Sequence, residues 1–551
     1  MAETVILNAK ILTMDPARPT AQALAITGET IAAVGTNAEI LDLAGPATRK
    51  IDAQGCTVMP GFVEAHLHLF MGAMGRRLLQ LGGVQGLPAL RDALQAYAAQ
   101  RPDDTLLFCK GASYNLFGEN VRTTRQMLDE ALPDRPVLLM SDDHHTAWAN
   151  TIALEKGGIL NGRKTAIGTE VVMADDGTAA GELREHDAYA PVAALRNFGG
   201  REGLGMDGLE PESVTPAQRE EDIDILTDGQ KYCASFGFTS VHNMDGNRYQ
   251  LDLLSEIEGR GDLLCRTEVP FHLTPSKPLE TLEEASAMHA DFKGPYLRSG
   301  RVKMFMDGVI DSGTAFMLDG YADQPGHNCE PLHSQERFNA AAIDADRRGL
   351  QISVHAIGDA AIRSVLDGYE AAQKANGKRD SRHRIEHLEL VHPDDLDRIR
   401  DLGVIASMQP SHPPGAMDFP LQPWCDRVGA NRLKDAFPVR ALKDRGVKFA
   451  FASDWPVADV DPMRGVQAAV TRKPYADGLP SNATTLFEAL YDYTYGGAYT
   501  GFDEGRLGRI VPGLLADIVV MDHDLEALPA EELGTARAAV TLCGGRVTFE
   551  A

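Results

Sequence analysis

Residues 60–70 read PGFVEAHLHLF, an apolar run that carries His66 and His68 one residue apart, with Glu64 just ahead of them. A β-strand has a side-chain period of two, so His66 and His68 point to one face, Leu67 points to the other, and Glu64 shares the face of the histidines. Two imidazoles on one face can grip one ion. Other strand-like runs end in His355 (SVHAIGD), His387 (RIEHLEL) and Asp454 (FASDWP), and Lys303 sits inside another, VKMFMDG. Singly, each has a plainer reading: a lone strand-end histidine is more often a hydrogen-bonded core residue, and Asp454 alone could cap a helix or hold a turn. Together they point to a metal site, because unrelated polar residues have no reason to fall at the ends of separate strands. Imidazole and carboxylate ligands suit Zn²⁺, and Mn²⁺, Fe²⁺ or Ni²⁺ accept the same donors.

The elements that must position these residues alternate along the chain. Strand-like runs at 57–68, 237–244, 265–273, 301–307, 350–356, 383–390, 404–409 and 447–454 are interleaved with amphipathic patterns such as 359–373 and 392–403. Alternating β and α predicts an α/β chain with a parallel sheet, here a (β/α)8 TIM-type barrel, although periodicity alone leaves an open sheet standing. In such a barrel the active site lies at the C-terminal ends of the strands, where His355, His387 and Asp454 fall. The stretch from about 71 to 230 is too long for a barrel crossover and contains strands of its own (TLLFCKG, PVLLMSDD), so it reads as an insertion after strand 1. Short strands at 4–14 and 21–34, and again at 516–522 and 538–550, predict a small β-sandwich-like domain formed by both chain termini. The expected division is residues 1–58 and 500–551 for that small domain and 59–499 for the barrel.

Bulk composition narrows the partners. Across 551 residues, 44% hydrophobic and 24% charged residues are enough for a large buried core. A net charge of −26 argues against a nucleic-acid partner, because phosphate binding needs a Lys/Arg surface. The start, MAETVILNAKILTMD, has no signal-peptide pattern, and no apolar run approaches the roughly 18 residues of a membrane span, so a cytoplasmic protein is expected. Seven scattered cysteines without C-x-x-C spacing suggest neither a disulfide framework nor a thiolate metal site.

The segments PGFVEAHLH, VKMFMDG, HAIGD, RIEH and ASDWP, followed by GRIVPGLLADIVVMD, resemble the amidohydrolase superfamily over nearly the whole chain. The long insertion, with DDHHTAWAN and GELRE, is similar to the amidohydrolase-3 group, which includes deformylases of N-substituted formamides. The resemblance implies a metal site of His66, His68, Lys303, His355, His387 and Asp454, probed most simply as two Zn²⁺ ions. A protonated Lys303 would repel those ions, so the resemblance implies a CO2-derived carboxylate on Lys303 that bridges them. The plainer alternative is a Lys303–Asp307 ion pair, since positions 303, 305 and 307 share a face. The implied reaction is hydrolysis of a non-peptide C–N bond in a small N-formyl or N-acyl amide, with Asp454 as general base and then general acid.

A ring deaminase or cyclic amidase of the same superfamily is the alternative, with Asp359 of HAIGD as the extra carboxylate a deaminase needs. A non-catalytic scaffold would be expected to lose its ligands, and this sequence keeps them all. In the insertion His145 matches a family histidine expected to meet the substrate or an oxyanion. Its neighbour His144 stands where relatives usually have Gly, so either of the two can be the inward one. Glu185, His412 and Asp307 complete the expected substrate-binding set, each with a plainer reading as a local hydrogen-bonding group, and Trp148 is expected to pack. Glu64 replaces the Asp usual before H-x-H and is a candidate for a hydrogen bond to a ligating imidazole. The implied partner is a small-molecule amide, with a homodimer left open by the habit of relatives.

Overall fold

The computed structural model describes all residues of the chain except 120, 142–144, 166–168, 197–200, 202–203, 205–207 and 209. The chain divides into two compact units, Met1–Leu69 together with Ile223–Ala551, and Phe70–Asp222.

The first unit is α/β. A sheet of four strands runs Leu297–Arg298, Arg266–Glu268, Phe238–Asn243, Phe62–Leu67, all neighbours parallel. A second, of six, runs Phe271–His272, Arg301–Phe305, Gln351–Ala356, Arg384–His387, Ile405–Met408, Phe449–Phe451, again all parallel. Parallel neighbours need a crossover, and the chain supplies helices such as Asp359–Asn376, whose Ile362, Val365, Leu366, Tyr369 and Ala372 face inward while its other side stays polar. In the second sheet Phe305 pairs with His355, and His355 with Glu386, so the chemistry-bearing residues lie side by side at the same ends of their strands.

The chain ends build two further sheets. One orders Thr30–Gly35, Ala23–Thr27, Ala2–Leu7, Ala44–Asp52; the other orders Arg546–Glu550, Ala538–Cys543, Ile518–Met521, Thr57–Pro60, Lys10–Leu12, Thr20–Ala21. Residues from both sheets, among them Ile6, Leu24 and Ile51 on one side and Ile11, Val58, Ile518 and Leu542 on the other, form a single buried cluster. The hairpin Ala538–Glu550 turns at Gly544 and Gly545, which adopt φ of 57° and 72°; a two-residue turn with both φ positive matches the twist of its strands and is open to glycine at no steric cost.

Three runs that read as continuous are split between sheets, 265–273 among them, with Arg266–Glu268 in the four-stranded parallel sheet and Phe271–His272 in the six-stranded one. The run at 57–68 breaks at Gly61: Thr57–Pro60 joins the terminal sheet and Phe62–Leu67 the parallel one. A Cβ at Gly61 would stand 2.3 Å from the Thr239 side chain, so the crossing point takes only glycine. The run at 4–14 divides in the same way at Asn8, whose φ is 54°. Hydrophobic periodicity records burial on both sides of such a break and cannot register a change of sheet.

The second unit holds a sheet of six strands in the order Glu170–Met173, Ala179–Arg184, Thr146–Ala149, Val137–Ser141, Leu107–Ala112, Leu79–Gln80. Alternate residues feed two cores: Leu107, Cys109, Leu139 and Trp148 on one face, and Leu138, Met140, Ala147 and Leu183 on the other. Trp148 is packing, as expected. Among the described residues no helix is long and apolar enough to cross a membrane.

Candidate metal centre

The strand Phe62–Leu67 brings His66 and His68 to one point, as the period of two requires. Nε2 of each lies 3.2 Å from Oδ1 of Asp454. Asp454 is held there from the backbone: its N–H donates to the His66 carbonyl at 2.9 Å, and His68 N–H donates to the Trp455 carbonyl at 2.7 Å. Asp454 has φ of 61° and His387 has φ of 77°, left-handed values that a non-glycine residue takes only when its surroundings over-determine them.

That strained φ explains a further feature of RIEH. In a regular strand Glu386 and His387 would face opposite sides. Here Glu386 Oε2 accepts from His66 Nδ1 at 2.7 Å, and the His387 ring also lies 5.1 Å from the His66 ring. The turn at His387 brings two consecutive side chains to one centre.

Three imidazoles share a pattern. Nδ1 of His66 meets Glu386 at 2.7 Å, Nδ1 of His68 meets Asp245 at 2.5 Å, and Nδ1 of His387 meets the Gln409 side-chain oxygen at 2.8 Å. Each partner is an acceptor, so Nδ1 carries the proton and Nε2 is the nitrogen left for a ligand. His355 is the mirror case: its Nε2 donates to the Gly308 carbonyl at 3.0 Å, which leaves Nδ1. His66 Nε2, Asp454 Oδ1 and Lys303 Nζ are buried without a hydrogen-bond partner among the described residues. Buried polar atoms are rarely orphaned, and this donor set, nitrogen and carboxylate oxygen, is the one a divalent cation satisfies. His66, His68 and Asp454 form one group able to hold an ion; His387, His412 and Asp454 form another.

The charges agree. Burial favours a protonated Asp454, but the imidazoles of His66, His68 and His387 outweigh it and hold the carboxyl well below its usual range. Burial, reinforced by Lys303, pushes His355 down to about 3, and burial pushes His412 down to about 4. Burial with His355 keeps His387 well below the ordinary imidazole value. His68 goes the other way: burial opposes its charge, yet Asp245 and Asp454 raise it to about 9. Burial lowers Lys303 to about 8, against the pull of Glu386 and Asp454.

Lys303 and Asp307 do not pair. The Asp307 carboxylate instead accepts backbone N–H groups from Phe316 at 2.9 Å, Ile357 at 3.1 Å and Gly358 at 2.8 Å. These bonds tie down the turn after His355. Glu64 also differs from expectation. Its carboxylate meets no imidazole; it accepts the backbone N–H of Ser453 at 3.0 Å and of His66 at 3.1 Å. Asp359 likewise accepts the N–H groups of Leu318 at 2.8 Å and Ala360 at 3.0 Å. His412 lies against the centre, its ring stacked 5.9 Å from His387 and its Nε2 4.0 Å from Asp454.

His145 and Glu185 belong to the second unit, where the two side chains meet at 3.0 Å and Glu185 N–H donates to the His145 carbonyl at 2.7 Å. His144 lies outside the described residues. The residues missed from sequence are the partners of the imidazoles: Glu386, Asp245 and Gln409. Glu386 sits inside a quoted motif, but strand alternation directed it away from His387. Behind it Arg384 Nη2 donates to Glu386 at 2.8 Å, to the Ala65 carbonyl at 2.7 Å and to Ser407 at 2.7 Å, a buried network with no periodic signature.

Comparison with known proteins adds an independent line. A model of the amidohydrolase family matches residues 49–549. The putative amidohydrolase YtcJ of Bacillus subtilis (strain 168) is 28% identical over 516 residues, covering 92% of this chain and 91% of its own. N-substituted formamide deformylase of Arthrobacter pascens is 26% identical over 564 residues, covering 100% and 99%. Among solved structures, an uncharacterized metal-dependent hydrolase from Pyrococcus furiosus superposes with a TM-score of 0.72 at 27% identity, over 94% of this chain and 98% of that one.

Proposed function

The chain belongs to the amidohydrolase family, and from that premise we propose that it is a divalent-metal hydrolase that cleaves a non-peptide C–N bond in a small N-formyl or N-acyl amide. The observation that carries this reading is the convergence of two imidazole nitrogens on Asp454 Oδ1 at 3.2 Å, each imidazole tied through its other nitrogen to a carboxylate. The formamide deformylase likeness over the full chain supports the bond type.

The parallel sheets are read as one closed (β/α)8 barrel. Supporting closure, Asp454 N–H donates to the His66 carbonyl and His68 N–H to the Trp455 carbonyl, joining the end of one sheet to the edge of the other, and the chain passes directly from Arg266–Glu268 in the first to Phe271–His272 in the second. The terminal strands, 1–58 and 500–551, are read as one small β-domain around their common core.

His66, His68, His355, His387 and Asp454 would hold the metal, with Lys303 as a carboxylated bridge if two Zn²⁺ ions bind. The metal supplies a lowered water pKa and polarises the amide carbonyl. Asp454, ionised and held by His66 and His68, takes the proton from the attacking water and delivers it to the leaving nitrogen. Glu386, Asp245 and Gln409 fix the imidazole tautomers and rings. The His145–Glu185 pair is assigned to substrate contact, and the protein to the cytoplasm. The deaminase alternative loses support because Asp359, its extra carboxylate, is committed to two backbone N–H groups.

The test is metal analysis of purified protein coupled to a panel of N-formyl, N-acyl and cyclic amides, with ammonia release followed in parallel. Hydrolysis that scales with bound metal and yields acid and amine supports the reading; ammonia release from ring amines would favour the deaminase, and neither metal nor turnover would overturn it.

A further inference from the structure

Two buried imidazoles next to this centre have no part in the chemistry above. His272 ends its strand in register with Lys303, and Leu273 N–H donates to the Lys303 carbonyl at 2.9 Å. His333 lies just past the end of the Lys303 strand, because Leu332 N–H donates to the Met306 carbonyl at 2.8 Å. The Phe305 ring stands 5.4 Å from the His272 ring and 4.9 Å from that of His355, with Lys303 Nζ 4.6 Å from its centre. His272 therefore lies on the Lys303 and His355 side of the centre.

The tautomer of His333 follows from its partner. Arg337 Nε donates to His333 Nδ1 at 3.2 Å, and a guanidinium can only donate, so Nδ1 accepts and the proton sits on Nε2. That Nε2–H is buried and has no acceptor among the described residues; Nδ1 of His272 is also buried and without a partner. Leaving a buried donor unmet is costly, and a site that does so is built for an oxygen it lacks. Arg337 is spent on neutral acceptors, donating to the Lys277 carbonyl at 2.5 Å and the Thr274 carbonyl at 3.4 Å. Among the described residues its side-chain hydrogen bonds all go to neutral acceptors and none to a carboxylate, although the chain carries a net charge of −26.

We propose that His333 and His272, backed by Arg337, form a subsite for a carboxylate of the substrate, so that the amide hydrolysed bears a carboxylate away from the scissile bond. His333 Nε2–H donates to one carboxylate oxygen, and the uncompensated guanidinium behind it favours the negative charge. The proposal rests on the amide-hydrolase reading for the identity of the substrate and not for the existence of the subsite.

The experiment compares N-formylglycine with N-formylglycinamide on the zinc-loaded full chain, by calorimetric binding and by hydrolysis. The acid should bind about tenfold more tightly than the neutral amide, the size of one charge-assisted hydrogen bond. His333→Phe should bring the ratio near one, and His333→Gln, whose amide N–H can still donate, should restore part of it. Equal binding of acid and amide by the unmodified protein, no binding of the acid, or a parallel loss of both in His333→Phe would overturn the proposal. A carboxylate preference without any hydrolysis would leave the subsite in place and remove the amide-hydrolase reading instead.

Discussion

The Glu64 carboxylate accepts the backbone N–H of Ser453, the residue before Asp454, at 3.0 Å, while also accepting the N–H of His66 at 3.1 Å. One buried acid thus fastens the histidine strand to the loop that carries the proposed base. Replacing Glu64 by Ala leaves two buried N–H groups unmet, each worth about 1–3 kcal/mol, so urea unfolding should show a loss of about 2–6 kcal/mol. Glu64→Gln keeps an acceptor oxygen and should lose less. If Glu64→Ala unfolds at the same urea concentration as the parent, the fastening role is wrong.

The same residue sets a pH dependence. Burial pushes Glu64 up to about 8 from an ordinary 4.5, against the hydrogen bonds from Ser453 and His66. A folded-state pKa above the unfolded one contributes stability that is complete below 4.5 and is lost as pH rises through about 8. Metal-free protein should therefore lose stability between pH 5 and about 9, and Glu64→Gln should flatten that fall. An unchanged pH profile in the variant would remove Glu64 as the source.

Much of this arrangement was legible in the sequence because it is periodic or terminal. A spacing of two put His66 and His68 on one face, and apolar runs followed by Asp or His marked where strands stop. What escaped was set by contacts between distant segments. Nothing in a one-dimensional pattern pairs His68 with Asp245 or His66 with Glu386, 177 and 320 positions away. Glu386 was further masked by the left-handed turn at His387, which breaks the alternation on which the reading relied. Asp307 misled for a related reason: it shares a strand face with Lys303, yet backbone N–H groups from two other segments reached its carboxylate first.

Asp454→Asn tests the base. The amide is isosteric and can keep its backbone bonds to His66, so the fold should persist, and the three imidazoles of His66, His68 and His387 should retain most of the metal. General base catalysis is worth about 10²–10⁴ in rate, so kcat should fall by that factor with metal content largely kept. Near-parental kcat in a metal-replete variant would sink the role.

Asp245 should govern how protons compete with metal. With its imidazole raised to about 9 by Asp245 and Asp454, metal-free His68 is protonated at neutral pH and must release that proton to bind. Apparent zinc affinity, measured by chelator competition, should therefore rise about tenfold per pH unit up to about 9 and then level off. Asp245→Asn removes the larger of the two charges, so the plateau should begin at lower pH while affinity there drops about 10–100-fold from loss of ring orientation. A plateau that stays at the same pH would show that Asp245 does not set the proton on His68.

Lys303 offers the sharpest choice between one ion and two. Its ammonium is fully buried, finds no hydrogen-bond partner among the described residues, and is not paired with Asp307, so the ion-pair alternative has no geometry to stand on. Burial brings its pKa down to about 8, although Glu386 and Asp454 resist. The free amine, the form that adds to CO2, is then about a tenth of the lysine at pH 7 and most of it at pH 9. Carboxylation replaces a buried cation beside the imidazoles with an anionic oxygen ligand, which is the change a second metal ion requires. Metal-stripped protein reloaded with zinc should accordingly regain activity faster at pH 9 than at pH 7, and in either case only when bicarbonate is present. Protein reloaded in ¹³C-bicarbonate should show one carbamate carbon by NMR, absent in Lys303→Arg, along with two zinc ions per chain in the parent and fewer in the variant. Full recovery in CO2-free buffer, or no labelled carbon, would make Lys303 a plain buried amine and the centre a one-metal site.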